Sequence, residues 1–143
     1  MKDQEITQNN KLIAEFMHPE MLDVIKEHKK GNVKGIDIDG DMIIKMSLFM
    51  GNYELLKFHS SWDWLMPVVE KIENLKLGNL TFNNDPYLNC CVEIEIIISH
   101  CNIHLYADMK AYKDLINVKN ETTKLNGTYK AVIEFIKWYN ENK

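Results

Sequence analysis

Residues 90–99 read "CCVEIEIIIS", alternating Val92, Ile94, Ile96 and Ile98 with Cys91, Glu93 and Glu95. A pleated strand sends successive side chains to opposite faces, so the pattern predicts a strand with one buried and one wet face. The next residues, "HCN" at 100–102, read as a turn, and "IHLYA" at 103–107 as a return strand with Ile103 and Leu105 inward. The pair is an antiparallel hairpin. A sheet of this kind needs something apolar on its dry face.

Two segments have the period to supply it. In "SSWDWLMPVVEKIENL", residues 60–75, Trp64, Val68, Ile72 and Leu75 share one helical face, with Leu65 and Val69 beside them. Ser60 or Ser61 is the candidate N-cap, and Asp63 meets the positive end of the helix dipole. Pro67 falls near the N-terminus, where it removes at most a bond or two. In "TTKLNGTYKAVIEFIKWYNEN", residues 122–142, Leu125, Tyr129, Val132, Ile133, Ile136 and Tyr139 line one face. Thr122 or Thr123 is its cap, and Gly127 costs about 1 kcal/mol against alanine. The predicted fold class is therefore α+β: a small antiparallel sheet flanked by a Trp-containing helix and a long C-terminal helix. Its predicted core is Trp64, Val68, Ile72, Ile94, Ile96, Val132 and Ile136.

Upstream, "NNKLIAEFM" (residues 9–17) predicts a first helix capped by asparagine, which leaves residues 1–8 as a flexible tail. His18-Pro19 interrupts it. A second helix follows, with Met21, Leu22 and Ile25 inward and Gly31 as its stop. "VKGIDIDGDMIIKMSL" alternates around Asp39-Gly40 and predicts a hairpin that resumes at Met42 and Ile44. The segment after Gly51 predicts a short extended lead-in that buries Leu55 or Leu56. A short strand is expected near Leu80–Phe82, and residues 107–120 read as a helical turn or a loop.

The 143 residues, 45% of them hydrophobic, are most simply one domain spanning 1–143. No apolar run approaches the roughly 20 residues that cross a bilayer. The N-terminus lacks the pattern of an export signal, and the odd count of cysteines (Cys90, Cys91, Cys101) argues for reduced thiols, so a cytoplasmic location is expected. All 17 basic residues are lysine and the net charge is −4. Without the guanidinium fork and without a basic patch, duplex nucleic acid is not an expected partner.

No constellation announces catalysis. "DIDGD" at 37–41 starts like a calcium loop, but the sixth and twelfth positions are Met42 and Leu48 where an EF-hand needs glycine and glutamate. His100, Cys101 and His104 could meet Cys90 and Cys91 across the hairpin, yet paired zinc-site spacings are missing. Glu93 and Glu95 read as a solvated face. There is no G-x-G-x-x-G, P-loop or H-E-x-x-H. The expectation is no catalytic residues, no metal and no cofactor.

The blocks "NNKLIAEFM", "LLKFHSSWDWLMPVVEKIENL" (55–75) and "TYKAVIEFIKWYNEN" (128–142) resemble small uncharacterised proteins carried by phages and prophages of Bacteroidota. The chain is also distantly similar to the phage ABA-sandwich domain, in which a Trp-containing helix and a C-terminal helix flank a small antiparallel sheet. Against shorter members of the group, residues 18–51 read as an insertion with a helix and a hairpin. The resemblance implies a phage accessory protein in the cytoplasm of an infected bacterium, acting by binding. The first expectation is sequestration of a host nucleotide-like immune signal. The alternatives are inhibition of a host defence protein and a minor structural role. The candidate ligand-binding residues are Trp62, His59, Lys57 and Lys71, where bases could stack beside a helix N-terminus and lysines could meet phosphate. Exposed Trp138 and Tyr139 would support a homodimer.

Overall fold

The computed structural model describes residues 2–31, 41–75, 77, 90–97, 100–107 and 110–142. The chain divides into two compact units, Met1–Phe58 and His59–Lys143.

The first unit is helical. α1 spans Asp3–Met17, so residues 3–8, expected as a tail, are helix. Asp3 and Glu5 place negative charge in its first turn, where the helix dipole favours it. The asparagines expected to cap it lie inside it, and Asn10 is buried, its Nδ2 donating to the Leu56 carbonyl at 2.9 Å. That bond satisfies a buried backbone acceptor and ties α1 to the chain leaving the unit. Leu56 is fully buried and Leu55 exposed. After His18-Pro19, α2 runs Glu20–Lys29 with Met21 buried, while Leu22, expected inward, is exposed. Gly31, at φ +83°, ends the segment as its position predicts.

α3, Met42–Met50, overturns the hairpin reading at its described end. Two alternating residues, Met42 and Ile44, are too few to define a strand. The nine-residue run to Gly51 has no breaker, and Ile44, Ser47 and Leu48 recur at helical spacing to form its buried face. Gly51 then adopts φ +70°, a conformation that costs a side chain roughly 1–2 kcal/mol, and the Asn52 N–H donates back to the Ser47 carbonyl at 3.1 Å. Most of the expected first strand lies outside the described residues, as does the strand near Leu80–Phe82.

The second unit is α+β. α4 spans Trp62–Glu73 with Ser61 at its N-cap in extended backbone and Asp63 in the first turn. Pro67 is its sixth residue and the helix passes through it. The buried face is Leu65, Val68, Val69 and Ile72. Trp64 is only half-buried and does not belong to the core expected of it. β1 (Cys90–Ile97), β2 (His100–Ala107) and β3 (Lys110–Val118) form an antiparallel sheet in that order. His100 and Cys101, expected in a turn, already pair with Ile97 and Ile96. β3 replaces the expected turn or loop; its Ile116 and Val118 sit opposite Ile103 and Cys101.

Val92, Cys101, Ile103, Ile116 and Val118 are buried on one face, with Ile94 and Ile96 half-buried towards the same side. α4 packs on β1, and α5, Lys124–Asn142, lies across all three strands. Thr123 caps α5, its Oγ1 accepting from the Asn126 N–H at 3.1 Å. Val132 and Ile136 are core as predicted, joined by Tyr129 and Phe135, both fully buried. Trp138 and Tyr139, expected as exposed dimer-forming residues, are half-buried and fold back on Phe135, with ring centroids 5.6 and 6.2 Å away.

Candidate functional site

Of the residues expected to bind a nucleotide, Trp62 and Lys71 stand far apart on α4. Trp62 opens α4 with 36% of its surface exposed. Lys71 stands nine residues on, which at 1.5 Å and 100° per residue is about 14 Å along the axis and half a turn round, on the opposite side of the helix. His59 is half-buried, edge-on to the Tyr129 ring at 6.2 Å, and so belongs to the packing of α5. Lys57 is exposed and lies in the first unit.

Two other places hold more organised chemistry. The first is a groove of about 420 Å³ in the first unit, lined by Met42, Ile43, Met46, Ser47, Met50, Asn52 and Leu55. It follows from α3 carrying apolar residues on both its inner and its outer side. Ile44 and Leu48 take the inner face, which leaves Met42, Met46 and Met50 at four-residue intervals along the outer one, with Ile43 beside them. Met42, Ile43, Met50 and Leu55 are exposed by 50, 49, 70 and 66%. The left-handed turn at Gly51 brings Asn52 and Leu55 round as the second wall. Asn52 Oδ1 already accepts from the Glu54 N–H, and among the described residues no charged side chain lines the groove. Such a surface has few polar handles for a phosphate or a base.

The N-terminal end of this groove is held by His18. Its Nδ1 lies 3.0 Å from Glu20 Oε1 and its Nε2 3.0 Å from Asp41 Oδ2, the residue at the N-cap of α3. Burial pulls the Glu20 carboxyl upward, but its own backbone N–H, His18 and the charge of Lys45 outweigh that and hold it below the ordinary carboxylate value.

The second place is the outer face of the sheet. A bulge in β3 builds it. Ile103 pairs with Ile116, yet His104 pairs with Asp114, so Leu115 is the extra residue. In regular register Leu115 would face His104; the bulge re-aims Asp114 onto the histidine's face. His104 Nδ1 lies 2.6 Å from Asp114 Oδ1, and its Nε2 3.4 Å from Glu95 Oε2 on β1. Asn102 Nδ2 donates to the same Glu95 oxygen at 3.1 Å, while its Oδ1 is buried without a partner among the described residues. Asn102 and then His104 hold the Glu95 carboxyl below its ordinary value. For His104, burial works against the charged form, and the two carboxylates outweigh it and raise its pKa.

The zinc grouping weighed from sequence does not assemble. Alternation puts Cys101 on the dry face, away from His100 and His104, and register puts Cys90 and Cys91 opposite Ala107 and Tyr106 at the other end of the hairpin. Burial pushes the Cys101 thiol up to about 11, against a hydrogen bond with Thr128 that lowers it. That is a packing thiol, not a nucleophile. Among the described residues no group of three or more His, Cys, Asp or Glu is placed to hold a metal ion. None of their helices is long and apolar enough to cross a membrane. No protein family, curated protein or solved structure matches the chain.

Sequence reasoning missed both places for one reason, the wrong secondary structure around them. A helical reading of residues 42–50 would have shown an apolar residue on every side. A strand at 110–118 would have put Asp114 within reach of His104.

Proposed function

We propose that the protein is a non-enzymatic binding module, a phage accessory protein that acts on a host protein by taking an amphipathic helix of that partner into the groove on α3. The row Met42, Met46 and Met50, exposed at its two ends and half-buried at Met46, carries this reading with Ile43 and Leu55 beside it. Methionine is unbranched and polarizable and adapts to varied apolar surfaces, a use that recurs where a groove receives an amphipathic helix. The row runs from Met42 to Met50, eight steps or about 12 Å, which matches two turns of a partner helix presenting apolar side chains at i, i+4 and i+7.

A nucleotide fits less well, because it would bring phosphates to a groove with no cation in its described lining, which moves the expectation from a nucleotide-like signal to a protein.

The test places a photo-activated methionine analogue in the full chain and irradiates it in extracts of phage-challenged bacteria. The reading expects one host polypeptide cross-linked through a helical peptide to residues 42–50, and loss of that product in Met46→Lys with the fold retained. Heat release of an intact nucleotide would return the sequestration reading, an altered nucleotide would indicate an enzyme, and cross-links only between copies of this chain would make the groove a dimer surface.

A further inference from the structure

We propose that His104 is a proton-operated clasp, fastening the outer strand β3 through β2 to β1 when its imidazole is charged and letting β3 loosen when the imidazole is neutral. The geometry comes first. Both ring nitrogens face carboxylate oxygens, Asp114 on β3 and Glu95 on β1. A neutral imidazole carries one N–H and one lone pair, so one of the two contacts would set a lone pair against an anion. Only the imidazolium donates to both.

The neighbourhood is arranged for that charge. From β1, Glu93 stands directly opposite His104 and Glu95 two pairs further along, on the same face; from β3, Asp114 faces it; on β2 itself Asn102 and His100 share the face. α4 and α5 pack on the other side of the sheet, against Val92, Cys101 and Ile103. The bulge at Leu115 is what delivers Asp114, and bulges that re-aim one side chain are built features of a sheet. The β2–β3 pairing is interrupted twice, at Ile103/His104 and at Leu105/Tyr106, so a contact that spans the first interruption bears on how β3 is held.

The sign follows from the two directions of shift. The imidazole pKa is raised in the folded protein, so its contribution is complete below the unfolded value and disappears as pH rises through the folded one. The Glu95 carboxyl is held low, so its contribution disappears as pH falls through its own folded value. The clasp is therefore closed across the window between them and opens on the alkaline side by loss of the His104 proton.

The experiment follows the ring of His104 by NMR through a pH titration of the full chain, with amide exchange of Ile116 and Val118 corrected for intrinsic pH dependence. The expected result is a midpoint above that of an unstructured histidine peptide, with exchange at Ile116 and Val118 quickening several-fold across the same titration and amides of α5 unmoved. Asp114→Asn should lower the midpoint and remove the β3 effect; where that variant fails to fold, Glu95→Gln should lower the midpoint by a smaller step. A midpoint at the peptide value, β3 exchange indifferent to pH, or the same dependence persisting in His104→Gln would each overturn the clasp.

Discussion

Each unit sets a histidine between two carboxylates, yet the units treat apolar surface in opposite ways. Around His104 the described strand residues alternate by face: Val92, Cys101 and Ile103 go to the helices and Glu95, Asn102 and His104 to the outer face. Beside His18, α3 buries Ile44 and Leu48, half-buries Met46 and leaves Met42 and Met50 exposed. Period-2 alternation gives a strand a wet side automatically. A nine-residue helix with one lysine and one serine among apolar residues has no wet side to offer. Among the described residues the second unit leaves Trp62 and Met66 exposed by 36 and 38%, while the first gathers Met42, Ile43, Met50 and Leu55 along one apolar groove. That contrast supports the choice of α3 as the binding surface.

The largest expected effect tests the completed core. Phe135 is fully buried in α5 and carries the Trp138 and Tyr139 rings on it. Phe135→Ala should cost about 3–5 kcal/mol in a chemical denaturation experiment that follows the second unit. Trp64→Ala should cost distinctly less, because Trp64 is half-buried. Equal losses would mean that Trp64 anchors the sheet as much as Phe135 does.

A middle-sized effect probes a buried polar side chain that ties the first unit's ends. Asn10→Ala leaves the Leu56 carbonyl buried and unpaired, and about 1–3 kcal/mol should be lost. Denaturation unchanged within error would show that another donor reaches that carbonyl.

These two residues also show what the sequence made legible. Phe135 and its neighbours lie on a 19-residue helix whose apolar period repeats over about five turns, and β1 alternates over eight residues, so both announce themselves. The core of the sheet and its two flanking helices were legible for that reason. α3 is nine residues long and β3 is bulged twice, so neither holds one period long enough to read. Both candidate surfaces depend on those two elements, which is why the candidate residues read from sequence, Trp62, His59, Lys57 and Lys71, were drawn instead to the conspicuous tryptophan helix. Asn10 shows a further limit, since an asparagine near a helix start looks the same whether it caps the backbone or reaches across to a distant carbonyl.

The glycines turn the comparison into a pair of opposite signs. Gly51 ends α3 at φ +70°, and a Cβ added there would meet nothing within 4 Å, so Gly51→Ala should lose about 1 kcal/mol from backbone conformation alone. Gly127 sits inside α5, where a Cβ would meet Glu121 at 3.6 Å and Cys101 at 3.9 Å, ordinary contact distances. Gly127→Ala should gain up to about 1 kcal/mol of helix propensity. Thermal unfolding of the two variants should move in opposite directions, and a loss at both would mean that α5 cannot accept a methyl group against Cys101.

The smallest effect separates the two histidine sites by pH. Glu20 is exposed over 56% of its side chain, so its contact with His18 is well solvated and contributes little. Its direction is nonetheless defined: a carboxyl held below its ordinary value adds stability above the unfolded pKa and surrenders it as pH falls through the folded one. In Glu20→Gln that acid-side loss should shrink, while the contacts of His104 with Glu95 and Asp114 are left in place. Measured as stability against pH for the wild type and the variant, the two curves should converge towards low pH and separate slightly at neutrality. Curves that coincide throughout would mean that Glu20 contributes nothing to holding His18, leaving Asp41 as the contact that joins the histidine to the N-terminus of α3.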